Sequence, residues 1–482
     1  MEINELSPSL IWHYFDRITK VPRPSKKEGK IRAFLINFAE EHNLQYKDDE
    51  VGNILIMKPA TKGYENRKSI LFQSHMDMVC EKNNDTVHDF DNDPIQTYID
   101  GEWVKAKGTT LGGDNGIGIA AELAILASDN IEHGPIEALF TVDEETGLTG
   151  AFAMKEGFFS SKTLLNLDSE DDAEIYIGCA GGIDTTSTFT YIPQSAPSDY
   201  FYFKIDVKNL RGGHSGGDIH ERRGNANKIL TRFLFSCMNK YGIVLSSIDG
   251  GNLRNAIPRE ASAVVGVPFK EKESVRVDLN LFIADIENEL SSIEPNITIT
   301  LESVEKPEIC IDSNTATNLI LALYAAPHGV IAMSHDMENL VETSTNLASV
   351  KMKQDNQIVV ATSQRSSVES EKYDIANTVE AVFKLAGASV SHGDGYPGWK
   401  PNLNSEIMKV AVKAYEDLYN ITPAIKAIHA GLECGLFLKK YPGLDMISVG
   451  PTMRGVHSPD EQLHIPAVER FWYLLVEILK NA

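Results

Sequence analysis

The stretch Ser69-Ile-Leu-Phe-Gln-Ser-His-Met-Asp-Met-Val79 sets how the rest of the chain is read. Ile70, Leu71 and Phe72 form a short apolar run of the kind a buried strand shows. Alternation follows, with His75 and Asp77 two residues apart. Side chains at i and i+2 of a strand share a face, so an imidazole and a carboxylate project together from a strand end. That pair suits a metal ligand and the carboxylate that orients it through the other ring nitrogen. It equally suits an aspartate satisfying a half-buried histidine, and the stretch alone leaves both readings open.

Outward from this strand, the pattern predicts amphipathic helices over 8–20 and 26–42, separated by Pro22-Arg23-Pro24-Ser25 with Ser25 as an N-cap. Strands are expected over 51–58, 70–78, 136–142, 163–167 and 445–449, and helices over 118–127, 151–156, 405–419 and 467–480. Strands alternating with helices point to an α/β domain with a mixed, mostly parallel sheet. From about residue 184 the character changes. Alternating, often Thr-rich stretches at 183–191, 200–210, 262–267, 297–304 and 357–363 interleave with helices such as 226–238. This predicts an inserted α+β domain over 184–395, long enough for two similar units, between the two parts of the first domain, 1–183 and 396–482.

Composition excludes several classes. A formal charge of -23 opposes binding to a phosphate surface, so nucleic acid is not an expected partner. The five cysteines are scattered and lack any CxxC spacing, which argues against a disulfide framework or a thiolate metal site. No apolar run of about eighteen residues is present, and residues 1–43 have no signal-peptide pattern, so a cytoplasmic protein without a membrane span is expected.

In open α/β sheets, sites form at the carboxyl ends of strands. His75 and Asp77, Glu144 and Glu145, and Asp168 each follow a predicted strand, and His457 lies in the loop after the strand ending at Val449. Asp114 sits in the glycine-dense turn Leu111-Gly-Gly-Asp-Asn-Gly-Ile-Gly118. That turn matches neither phosphate-binding glycine motif, and Asp114 would set negative charge where phosphate oxygens should lie. Two imidazoles with several carboxylates suit zinc, manganese or cobalt. Glu144 and Glu145 point in different directions, which lets one bind metal while its neighbour handles a water; solvated charge beyond a strand is the plainer alternative.

The ordered segments SHMDMV, NNDTVHDFDNDPI, GTTLGGDNGIG, DEETG, NLDSE, CAGGID, GGHSGGDIH, NAIPRE, YPGW, HAGLECG and GPTMRGVHSPDE resemble the aminoacylase/carboxypeptidase family of two-metal peptidases along essentially the whole chain. Within it the match is to the branch that cleaves Xaa-His dipeptides of the carnosine type. The resemblance implies a zinc-exopeptidase-like catalytic domain and an inserted lid that closes on substrate. It implies two divalent ions per subunit, most readily Zn2+, with Mn2+ or Co2+ as alternatives. His75, Asp114 and Asp168 would hold one ion and Asp114, Glu145 and His457 the other, with a cis peptide after Asp114. Asp77 would orient His75, and Glu144 would be the general base. His214 would face the oxyanion with help from Asn255, Arg365 would pair with the terminal carboxylate, and Gly431 and Glu433 would lie near the substrate's amino end. The implied activity is hydrolysis of small dipeptides. A broader dipeptidase or an N-acyl amino acid deacylase shares the chemistry, and a catalytically silent peptide-binding protein is the alternative of another class. A homodimer is compatible with the resemblance; His220, His335 and His429 receive no role.

Overall fold

A computed structural model describes residues 2–482, which form two compact units. One comprises the chain up to Cys179 with Trp399–Ala427 and Leu432–Ala482; the other comprises Ala180–Gly398 and Ile428–Gly431.

The first unit is built on an eight-stranded sheet of β1 (Gln45–Asp48), β2 (Ile54–Lys58), β3 (Ile70–His75), β4 (Ile136–Thr141), β5 (Thr163–Asn166), β6 (Glu174–Cys179), β7 (Ala424–Ile428) and β8 (Asp445–Ser448), in spatial order β1-β2-β4-β3-β5-β8-β6-β7. The contiguous strands β4, β3, β5 and β8 run parallel, while β1, β2 and β6 add antiparallel pairings. Every residue of β3, β4 and β5 is buried, as expected of strands covered on both faces. The helix Gly113–Ala127 is buried on almost every side, which its run of Ile, Ala and Leu allows. Two short strands, Met453–Arg454 and Gln462–His464, pair with each other and join Trp103–Ala106 and Thr97–Asp100 in a separate four-stranded sheet, so the His457 loop is a hairpin on a framework of its own.

Two local expectations are corrected. β3 ends at His75 instead of continuing to residue 78. Met76 N still bonds Thr141 O at 2.7 Å, but Met78 N bonds Arg23 O at 3.1 Å, so the chain leaves the parallel ladder for the Pro22–Ser25 segment and Asp77 lies outside the strand. The helix expected from residue 118 begins at Gly113; Asp114 (ψ 116°) and Asn115 (ψ 36°) depart from helical angles, and the Asp114–Asn115 peptide is cis.

The second unit contains two β-α-β-β-α-β runs in one antiparallel sheet. In the run from Tyr200–Lys208 to Thr298–Ser303 the strands lie in spatial order fourth, first, third, second. Gly181–Thr190, Val341–Lys353, Gln357–Ser366 and Ser389–His392, with helices Ser313–Ala325 and Glu369–Leu385, repeat that order read from the other side. The runs meet where Gly250 pairs with Val350, and one core including Phe203, Phe233, Leu319, Val360 and Phe383 lies beneath both. The first run is inserted into the second after its opening strand. The unit's bounds differ from 184–395 because Tyr396 exchanges backbone hydrogen bonds with Gly182 (2.8 and 3.0 Å), and Ala180 N reaches Ile428 O and Ala430 O, both at 3.0 Å. No helix among the described residues is long and apolar enough to cross a membrane.

Leu71 is fully buried at the centre of the first sheet. Leu71→Ala is expected to destabilise that unit by about 2–5 kcal/mol, read as a lower denaturant midpoint; an unchanged midpoint would contradict this placement of β3.

Candidate metal centre

The four adjacent parallel strands each deliver chemistry just beyond their carboxyl ends. β3 ends in His75, β4 leads to Glu144 and Glu145, β5 to Asp168, and β8 to the loop that carries His457. Asp114 enters from the start of the helix Gly113–Ala127.

Asp114 lies between the two imidazoles. Its Oδ1 is 2.9 Å from His75 Nε2 and its Oδ2 is 3.2 Å from His457 Nε2. Asp168 Oδ1 stands 3.4 Å from His75 Nε2, and Glu145 Oε2 stands 3.0 Å from His457 Nε2. The side chains thus fall into two triads that share Asp114. On the far side of His75, Asp77 Oδ1 is 3.3 Å from Nδ1, within ion-pair range but off the axis of a good hydrogen bond, since Nδ1 lacks an aligned partner. Asp77 also accepts from Ser25 Oγ (2.8 Å), Glu144 N (3.0 Å) and Glu145 N (3.3 Å), so it aims the Glu144–Glu145 turn as well as approaching the ring.

The electrostatics follow from this crowding. Burial alone would lower the His75 pKa, but Asp168, Asp114 and Asp77 outweigh it and hold the ring well above its ordinary value. Burial would raise the Asp114 carboxyl, but His457 and His75 pull it far below the usual carboxylate range. Asp168 is pushed up to about 6 by burial, with Asp114 and Glu145 adding to the shift against His75. Glu144 rises well above the ordinary carboxylate range through burial, joined by Asp168, Glu433 and Glu145 against the opposing His75. His457 is raised to about 11, chiefly by its hydrogen bonds to Asp114 and Glu145.

These residues fit divalent metal. Ligand atoms of His75, Asp114 and Glu145, a group drawn from both triads, lie within 4.8 Å of one another, and buried Glu145 Oε1 has no hydrogen-bond partner. The donors are imidazole nitrogen and carboxylate oxygen, a set suited to zinc, manganese or cobalt.

In the second unit, His214 Nδ1 accepts from Gly217 N (3.0 Å) and Gly216 N (3.3 Å), which leaves the ring proton on Nε2. Burial and then Arg365 press its pKa down to about 4, keeping the ring neutral. Arg365 donates through one terminal nitrogen to Tyr396 Oη at 2.8 Å, its other terminal nitrogen is 3.5 Å from His214 Nε2, and its buried Nε has no partner. Asn255 adjoins this loop through its backbone, its carbonyl accepting from Ser215 N at 2.7 Å, while its side chain is exposed. Gly431 lies flat on Tyr396, where a Cβ would come to 2.8 Å of the ring.

Glu433 is an interior residue. It is fully buried in the first unit, where its Oε2 accepts from Gln73 Nε2 (2.6 Å) and Thr141 Oγ1 (2.8 Å), and burial raises its pKa to about 8. It braces β3 against the end of β4, while its Oε1 has no hydrogen-bond partner and its charge acts on Glu144. His220 and His335 are exposed, whereas His429 is buried with Nε2 2.7 Å from Ser344 Oγ. Sequence reasoning missed Asn115, whose Nδ2 donates to Asp168 Oδ1 at 2.6 Å, although its place beside Asp114 was a usable signal. It also missed Arg23, buried and donating to Asp77 O (2.6 Å), Met76 O (3.2 Å) and Gly112 O. No local pattern marks that residue.

Residues 71–481 match the model of peptidase family M20/M25/M40, a span that holds every residue of both triads. The chain belongs to that family. It is therefore a peptidase. It is 46% identical over 480 residues to a cytosol non-specific dipeptidase of Escherichia coli (strain K12), covering 100% of this chain and 99% of the relative. It is similar to the crystal structure of aminoacylhistidine dipeptidase from Vibrio alginolyticus at 44% identity and TM-score 0.92, covering 100% and 98% of the two chains. Aminopeptidase PepT from Bacillus cereus, at 16% identity and TM-score 0.58 over 99% of each chain, shares the fold.

A cation held among these carboxylates stabilises the native state by mass action, about 2.7 kcal/mol at a free concentration 100 times Kd. Scanning calorimetry is expected to show a melting temperature that rises on adding Zn2+ or Mn2+ to chelator-treated protein and falls again with chelator; no dependence on either would contradict the metal centre.

Proposed function

We propose that this peptidase is a metal-dependent dipeptidase of the cytosol that hydrolyses unblocked dipeptides, Xaa-His among them. The observation that carries the reading is Asp114 with one oxygen toward His75 and the other toward His457. His75, Asp114 and Asp168 would hold one divalent ion and Asp114, Glu145 and His457 the second, zinc being the first choice and manganese or cobalt the alternatives. Such ions, when bound, polarise the scissile carbonyl and bring the pKa of a water to about 7.

The chain's own residues supply the rest. Glu144 takes the proton of the attacking water and delivers it to the leaving amine, a task within the repertoire of a carboxyl that burial raises above its ordinary range. Asp77 orients His75 and, through the backbone N–H groups of Glu144 and Glu145, the base and one ligand. In the second unit, neutral His214 carries a proton on Nε2 suited to an oxyanion, and Arg365 has donors suited to a dipeptide's free carboxylate. The names of the two full-length relatives differ in breadth, one non-specific and one directed to aminoacylhistidine. Turnover of Xaa-His dipeptides alongside other dipeptides in one preparation decides between them.

Glu144→Gln is expected to lower kcat by about 10²–10⁴-fold while metal content stays at the wild-type level. Full activity in a metal-loaded Glu144→Gln protein would contradict the assigned base. Arg365→Ala is expected to raise KM for dipeptides and to leave dipeptide amides, which lack the carboxylate, little changed; an equal loss on both would contradict carboxylate recognition.

A further inference from the structure

Glu461 has no part in the chemistry above, yet its carboxylate is among the most fully engaged in the first unit. It is 2% exposed. Its Oε2 accepts from Leu111 N (2.7 Å) and Gly112 N (2.9 Å), and its Oε1 accepts from Gly113 N (2.7 Å) and Asp114 N (3.3 Å). These are the four successive backbone amides of the turn that presents Asp114. Glu461 itself follows His457 by four residues, at the point where the His457 hairpin closes into the strand Gln462–His464. One carboxylate therefore ties together the segments carrying two ligands that are 343 residues apart in sequence.

We infer that Glu461 is a positioning residue that fixes the separation of Asp114 from His457 and thereby the affinity of the ion assigned to Asp114, Glu145 and His457. The inference rests on the two-ion reading proposed above. Four converging N–H groups require the two oxygens of a carboxylate. A glutamine presents one oxygen and sets its NH2 against two of the donors. The turn is also shaped to the carboxylate. Gly112 adopts φ +69°, and a Cβ on Gly113 would stand 3.2 Å from Glu461 Oε1. His75 and Asp168, held by β3 and by the segment after β5, receive no bond from Glu461 and meet its turn only through the side chains of Asp114 and Asn115, so the other ion's histidine and private carboxylate depend on it less directly.

The test is stepwise Zn2+ binding to chelator-treated full-length protein, followed by competition with a chromophoric chelator and by metal-to-protein ratio from mass spectrometry. Wild type is expected to bind two ions. Glu461→Gln is expected to keep the affinity of one step within a factor of about three and to weaken the other about 10–100-fold, the size typical of removing a group that orients a ligand. Gly113→Ala, which crowds the same carboxylate, is expected to weaken that same step to a smaller degree. Circular dichroism of the metal-free proteins reports whether each variant is folded. Two unchanged steps in Glu461→Gln, or equal loss in both, would overturn the inference. If Glu461→Gln does not fold, Gly113→Ala and Glu461→Asp decide it, an unaltered weaker step in both being the contrary result. Uptake of only one ion by the wild type overturns the two-ion reading itself, before any variant is measured.

Discussion

Asp114 is the constraint on which the first unit turns: a single carboxylate whose two oxygens face two different imidazoles, 2.9 and 3.2 Å away. Around it stand Asp168, Glu145 and Glu144, with Asp77 behind His75. Two like charges about 4 Å apart repel by about 4 kcal/mol at an effective dielectric constant of about 20. Several such pairs in one buried place amount to a sizeable share of a domain's net stability. Protonation relieves the conflict in part, as the raised carboxyls of Asp168 and Glu144 indicate. Divalent cations held there would relieve it further, which would couple metal binding to the order of the site.

The sheet explains why these groups meet. Strands β4, β3, β5 and β8 lie side by side and parallel, so their carboxyl ends open on one edge and set Glu145, His75, Asp168 and His457 in that spatial order. Antiparallel neighbours would have sent alternate side chains of this set to opposite ends. The remaining candidate ligand, Asp114, comes from a glycine turn fitted closely around Arg23 and Glu461. Buried contacts between residues distant in sequence, from Arg23, Ser25, Asn115, Glu433 and Glu461, then hold segments that the strands alone would leave loosely aimed.

Much of this was legible in the sequence because it is periodic or local. The apolar run Ile70-Leu71-Phe72, the strand ends followed by acids or histidine, and the shift to alternating stretches near residue 184 each reflect an element's own burial pattern. The doubled β-α-β-β-α-β order of the insert was legible only as a length, because its first run interrupts the second and no repeat survives in the residues. What failed was long-range. β3 stops at His75 because Met78 pairs with Arg23, a partner that lies far from it in the chain. Glu461 stood in a quoted motif, but no spacing rule says that a glutamate will be met by four amides some 347 residues away.

Asp114, shared between the two triads, is the residue on which the proposed centre depends. Counting bound divalent ions per chain, at a concentration that saturates the wild type, tests this in two variants. Asp114→Ala is predicted to release both ions, while His457→Ala releases one. Retention of one ion by Asp114→Ala, the same number as in His457→Ala, would contradict a shared carboxylate and with it the reading of the two triads as one centre.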